Sequence, residues 1–160
     1  MRMWGVTWEE LDRIATLKTE KHSPCNIIDM KVITKNIVNK MADMVRDEKD
    51  IQTDMEILNI EMPPRQMYVF TNQQKYFGAA VLLYENALKD FAAEKEDDLY
   101  ILPSSIHELI VIPARVAWYP GEKYLKSMVK EVNATQVELE EILSDNVYFY
   151  DRQTGRIRIV

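Results

Sequence analysis

Residues 99–113 read LYILPSSIHELIVIP, and this run decides the fold. Two short apolar stretches, Leu99 to Leu102 and Glu108 to Ile112, have the length and β-branched content of strands. Between them lies a compact polar insert: Ser104, Ser105, His107 and Glu108. Apolar runs seek burial, so this insert is expected close to a packed core, where its polar groups must find partners.

Working outward, Gln66 to Thr71 (QMYVFT) and Phe77 to Leu83 (FGAAVLL) read as two further strands, with a polar loop from Asn72 to Lys75. The small residues Gly78, Ala79 and Ala80 permit a neighbour to approach closely. Asn86 to Lys95 reads as a helix with Ala87, Leu88, Phe91 and Ala92 on one face. Pro120 suits a first helical turn. After it, Tyr124, Leu125, Met128, Val129 and Val132 form an apolar side, and Lys123, Lys126 and Lys130 face solvent. Glu138 to Leu143 reads as a shorter helix. Val147 to Tyr150, the turn at 151–155 and Arg156 to Val160 give a closing hairpin.

Upstream the pattern is helical. Thr7-Trp8-Glu9-Glu10 is a capping box followed by Leu11, Ile14, Ala15 and Leu17, a helix expected to stop between Thr19 and Pro24. A second helix is expected from about Asp29 to Arg46, with Ile33, Ile37, Val38, Met41, Met44 and Val45 at helical spacing. Arg46 to Asp54 is turn-like, and Pro63-Pro64 closes the less regular half. The nine methionines, six of them between Met30 and Met67, read as core filling. The expected fold is α+β: a mainly antiparallel sheet of five or six strands, helices on one face, and a helical N-terminal lead. Residues 1–160 are read as one domain, with 1–62 as lead region and 63–160 as core.

A chain of 160 residues with 47% hydrophobic and 29% charged residues can bury a real core. Its formal charge of -6 disfavours nonspecific attraction to nucleic acid or anionic lipid. A single cysteine, Cys25, forbids an internal disulfide and fits a reducing compartment. The N-terminus, MRMWGVTWEELD, does not have the pattern of a signal peptide, and no apolar run approaches bilayer length. A cytoplasmic protein is expected.

The chemistry-bearing residues are few. His107 is the side chain best suited to proton transfer near neutral pH, and Ser105 two residues earlier would share its face in a strand. That is the geometry of a nucleophile–base pair, with Glu108, Asp97 or Asp98 as orienter. His107 and Glu108 point apart in a strand, so they do not form a direct pair. The plainer reading makes Ser104 and Ser105 caps of a turn after Pro103, with His107 bonded to backbone. Neither histidine, His22 or His107, has metal-site spacing. His22 and Cys25 are three apart and could share one side of a helix turn, but Ser23-Pro24 between them favours a loop. Asp97-Asp98 lacks a calcium-loop pattern, and four isolated glycines build no phosphate loop. No cofactor is expected. Tyr148, Phe149 and Tyr150 beside Arg152, Arg156 and Arg158 imitate a base-stacking sheet. Trp4, Trp8 and Trp118 read as packing anchors; were the remainder of a longer protein to precede them, Trp4 and Trp8 would cover an interface, and self-association is expected through that surface or through an exposed edge strand.

Several runs resemble a bacterial domain-of-unknown-function family numbered 5688: Met67 to Asn72, Gly78 to Tyr84, Asp98 to Glu108, Val132 to Thr135 and Leu143 to Tyr148. The resemblance extends from about Trp4 to the C-terminus. It implies kinship with proteins known mainly from gut-dwelling Firmicutes. It also implies that the chain is the C-terminal portion of a longer architecture. It implies no activity, but the LPSSIHE block is characteristic of the family, which makes Ser104, Ser105, His107 and Glu108 the residues to test first. The reading taken forward is a noncatalytic binding or interaction module, with a protein partner or self-association and no membrane; a small-molecule ligand is left unspecified. The alternative is a hydrolase-like enzyme using Ser105 and His107, and a nucleic-acid module stands third.

Overall fold

The computed structural model describes residues 5–44, 66–117 and 121–160. The expectations for Trp4, Arg46 to Asp54, Pro63-Pro64, Trp118 and Pro120 lie outside these residues, as do the side chains of Val38, Met41 and Met44. The fold is α+β. Helix α1 (Trp8–His22) precedes a six-stranded sheet in which every neighbouring pair is antiparallel, in the order β1-β2-β4-β3-β5-β6. The strands are β1 (Cys25–Asp29), β2 (Tyr68–Asn72), β3 (Leu99–Pro103), β4 (Leu109–Pro113), β5 (Tyr148–Asp151) and β6 (Arg156–Ile159). Between them come α2 (Met30–Met44), α3 (Ala87–Lys95), the single turn α4 (Ala114–Ala117) and α5 (Glu122–Thr135).

Strand alternation sorts the side chains into two cores. Phe70, Leu99, Ile101, Leu109, Val111 and Tyr150 share one parity and pack with Leu88, Phe91 and Ala92 of α3. The Phe91 ring meets Phe70 and Tyr68 edge-on, each at 4.9 Å. Leu102, Ile112 and Val147 have the opposite parity and pack with Ala117 and with Leu125 and Val129 of α5. The longer helices α2 and α5 thus cover one face, where Met30 adjoins Met67, while α3 closes the other.

The hairpin β3–β4 forms over the 99–113 run as expected, in the register Leu99↔Pro113 to Pro103↔Leu109. Two expectations need correction. Phe77 to Leu83 is no strand: Gly78–Leu83 is a 3-10 helix. Its place in the sheet is taken by β1, whose pairing with β2 runs from Cys25↔Asn72 to Asp29↔Tyr68. A short apolar run fits strand or helix equally by periodicity, and tertiary contact decides. Trp8 is no packing anchor, since 74% of it is exposed.

Candidate functional site

The 104–108 insert is the β3–β4 turn, and most of its polar groups are spent on holding it. The Ser105 amide donates to the Glu108 carbonyl at 3.2 Å, and the His107 amide donates to Ser105 Oγ at 3.0 Å. This is the hydroxyl-to-backbone turn that short polar residues favour. Ser104 is half-buried at the start of the turn. Two outside segments clamp the same loop. The Ile106 carbonyl accepts from the Ala79 amide (3.2 Å), and the Ile106 amide donates to the Glu141 carbonyl (2.9 Å).

His107 is the centre of the arrangement. Its carbonyl accepts from Thr71 Oγ1 at 2.8 Å. Its Nδ1 accepts from the Phe77 backbone amide at 3.0 Å. An amide nitrogen can only donate, so the ring proton sits on Nε2. That Nε2–H points to Glu141 Oε1 at 3.3 Å. Both ring nitrogens are therefore committed, one to a backbone donor and one to a carboxylate. A serine nucleophile needs an imidazole lone pair aimed at its hydroxyl. Here that lone pair is taken by Phe77, and Ser105 Oγ faces the His107 amide instead of the ring.

The remaining sequence candidates fall elsewhere. Glu108 lines a groove of about 530 Å³ between α2 and the sheet, with Ile33, Ile37, Val69, Lys40 and Lys75. Asp97 and Asp98 lie at the opposite end of β3 from His107. Asp97 accepts from the Arg115 amide at 2.9 Å, and Asp98 from the Arg152 amide at 2.8 Å. The carboxylates thus organise the start of α4 and the β5–β6 turn. In the closing hairpin, Arg158 lies over the Phe149 ring, 4.6 Å from its centroid, so that guanidinium is already stacked within the protein.

Sequence reasoning missed three members of the cluster: Tyr76, Phe77 and Glu141. The Tyr76 ring stacks on His107 at 5.1 Å, and Tyr76 and Phe77 meet edge-on at 4.3 Å. Both are exposed, at 62% and 52%. Asn72 holds the loop by accepting from the Tyr76 amide (3.3 Å) and donating to its carbonyl (2.7 Å). Lys75 and Phe77 both adopt left-handed backbone, with φ of 57° and 51°. Such a conformation is uncommon for a bulky residue and requires support from its surroundings. A polar NQQK loop running into aromatics was the only signal for this shelf in the sequence.

Among the described residues, no group of three His, Cys, Asp or Glu side chains is placed to hold a metal ion, and no helix is long and apolar enough to cross a membrane. A comparison with known families matches residues 1–152 to a family of unknown function (DUF5688). No curated protein and no solved structure matches the chain.

Proposed function

The chain belongs to this family of unknown function (DUF5688), and from that premise we propose that it is a noncatalytic, protein-binding module whose contact surface is the Tyr76–Phe77 shelf. The observation that carries this is the use of His107. Its ring, nitrogens and carbonyl all hold the turn and the shelf, and two large aromatic side chains are left outside. Exposed aromatics on a braced loop supply contact area at low entropic cost, which is how binding hot spots are built. The reading places the protein in the bacterial cytoplasm, in keeping with its single cysteine and its charge of -6.

The test pairs capture with chemistry. Wild type and a Tyr76→Ala, Phe77→Gly double variant are immobilised and exposed to lysate; Gly keeps the left-handed backbone while removing the ring. Wild type is expected to retain a specific protein about tenfold better than the variant. Equal retention overturns the reading. So does hydrolysis of a panel of activated esters and peptides that disappears in Ser105→Ala, because it would restore the hydrolase alternative.

A further inference from the structure

Strand β6 ends the sheet and is bonded along one side only. It pairs with β5 alone, and all four of its residues are exposed. The register and one further bond fix which backbone groups are left. The Val160 amide donates to the Val147 carbonyl at 3.0 Å, continuing the pairing Tyr148↔Ile159 by one step. Bonded and non-bonded pairs alternate in an antiparallel ladder, so Arg158 and Arg156 also bond to β5. The N–H and C=O groups of Ile157 and Ile159 therefore point to the open side, where no described segment meets them. The side chains divide the strand by face. Ile157 and Ile159 share one face, exposed at 42% and 59%, and Arg156 and Arg158 share the other. Arg158 lies over the Phe149 ring, which meets Tyr100 edge-on at 5.1 Å. A guanidinium placed on a ring keeps N–H groups for a carboxylate. Two carboxylates adjoin this face, and both are engaged. Asp151, opposite Arg156, accepts from the Thr154 amide at 2.7 Å, and Glu122 accepts from the Tyr100 hydroxyl at 2.9 Å. Among the described residues neither guanidinium forms an ion pair.

We infer that β6 is a docking edge for an extended acidic segment of a partner protein, added antiparallel as an outer strand. Strand β6 dictates the pattern of that segment: carboxylates opposite Arg156 and Arg158, alternating with apolar residues opposite Ile157 and Ile159. The arginines fall at positions without outward backbone bonds, where opposed side chains come closest. The same parity opposes a second copy. An antiparallel β6 sets arginine against arginine, and a parallel one, offset by a residue, sets arginine against isoleucine. Charge alone is enough to keep an edge unpaired, and it does not call for two isoleucines left outside. The chain's charge of -6 is screened beyond about 8 Å at physiological salt, so the arginines set the local field. The inference does not use the Tyr76–Phe77 shelf, and either reading survives failure of the other.

Fluorescence anisotropy with the full chain and two short capped peptides, one alternating Val with Glu and one alternating Val with Lys, is the test. The Val/Glu peptide is expected to bind at least about tenfold more tightly than the Val/Lys peptide, and to weaken as salt is raised. Arg156→Glu combined with Arg158→Glu is expected to reverse that preference with unchanged far-UV circular dichroism. Ile157→Pro removes an outward N–H while leaving the bonds to β5, and is expected to weaken Val/Glu binding about tenfold. Amide exchange at Ile157 and Ile159 is expected to slow in the complex. No binding of the Val/Glu peptide, equal binding of both peptides, or a preference indifferent to the charge reversal overturns the proposal. So does binding that leaves both amides unprotected. A wild-type dimer that Ile157→Pro abolishes overturns it in favour of a second copy.

Discussion

At Gly78 the backbones of three segments come together. A Cβ there would run into Thr71 Oγ1 and the His107 carbonyl, and would stand 2.8 Å from the Asn72 amide. All three are backbone or hydrogen-bonded atoms with little room to yield. Gly78→Ala is therefore expected to destabilise the fold by about 2–3 kcal/mol, read as a lowered urea midpoint at unchanged slope. His107→Ala acts differently, removing the acceptor of the Phe77 amide and the donor to Glu141. The site is only half-buried, so water replaces part of the loss, and the expected cost is about 1–2 kcal/mol. Hydrogen exchange at the Phe77 amide should rise more than the global loss explains, because that proton has lost its partner. Both residues stand out in the sequence, Gly78 by its small neighbours and His107 by its apolar flanks. Gly78 meets the His107 carbonyl 29 positions on, and His107 meets the Phe77 amide 30 positions back, and no local pattern reports either contact.

The elements obey their own rules where local signals are strong. Helix α3 ends at Glu96 in left-handed backbone (φ 53°), and the Glu96 amide donates to the Ala93 carbonyl at 3.2 Å. Glycine is favoured at such a helix end, and Glu96 is exposed. Glu96→Gly is expected to raise stability by about 1 kcal/mol, visible as an upward shift of the thermal midpoint. The capping box of α1, the helices α3 and α5 and the closing hairpin were all legible, since caps, 3.6-residue spacing and turn residues are local properties. Strand β1 was not. Cys25–Asp29 carries Ile27 and Ile28 side by side at a sheet edge, without the alternation that marks a half-buried strand. The GAAVLL run was misread for the converse reason: it is apolar throughout, and only its contact with the turn at Ile106 and His107 fixes it as a 3-10 helix.

Across the whole molecule, ionisation links stability to alkaline pH. Burial, reinforced by Glu20, pushes the Cys25 thiol from its usual 9.0 up to about 11. Burial, with the bonded Glu122 carboxylate, pushes Tyr100 from 10.0 up to about 12. In each case the folded chain keeps its proton after the unfolded chain has lost it, so the contribution is complete below the unfolded value and declines as pH rises through the window. Stability is expected to be insensitive to these groups between about pH 7 and 9 and to fall from there toward 12. Urea midpoints against pH should show this fall. Cys25→Ser removes its part of the decline below about pH 11, and Tyr100→Phe removes the part nearer 12. The same shift in Cys25 predicts slow thiol chemistry: at pH 8, disulfide-reagent labelling should run about a hundredfold below that of a free thiol of pKa 9.0.

The sequence by itself determined the α+β class, the antiparallel hairpins, most helix positions and the polar turn between β3 and β4, because periodicity, caps and turn residues act over a few neighbours. Tertiary structure alone decided the rest. It set β1 beside β2, turned 78–83 into a 3-10 helix, and joined His107 to Phe77 and Glu141. Each of these depends on segments far apart in the chain arriving at one place, and backbone donors, carboxylates and close packing have no sequence spacing by which to announce such a meeting.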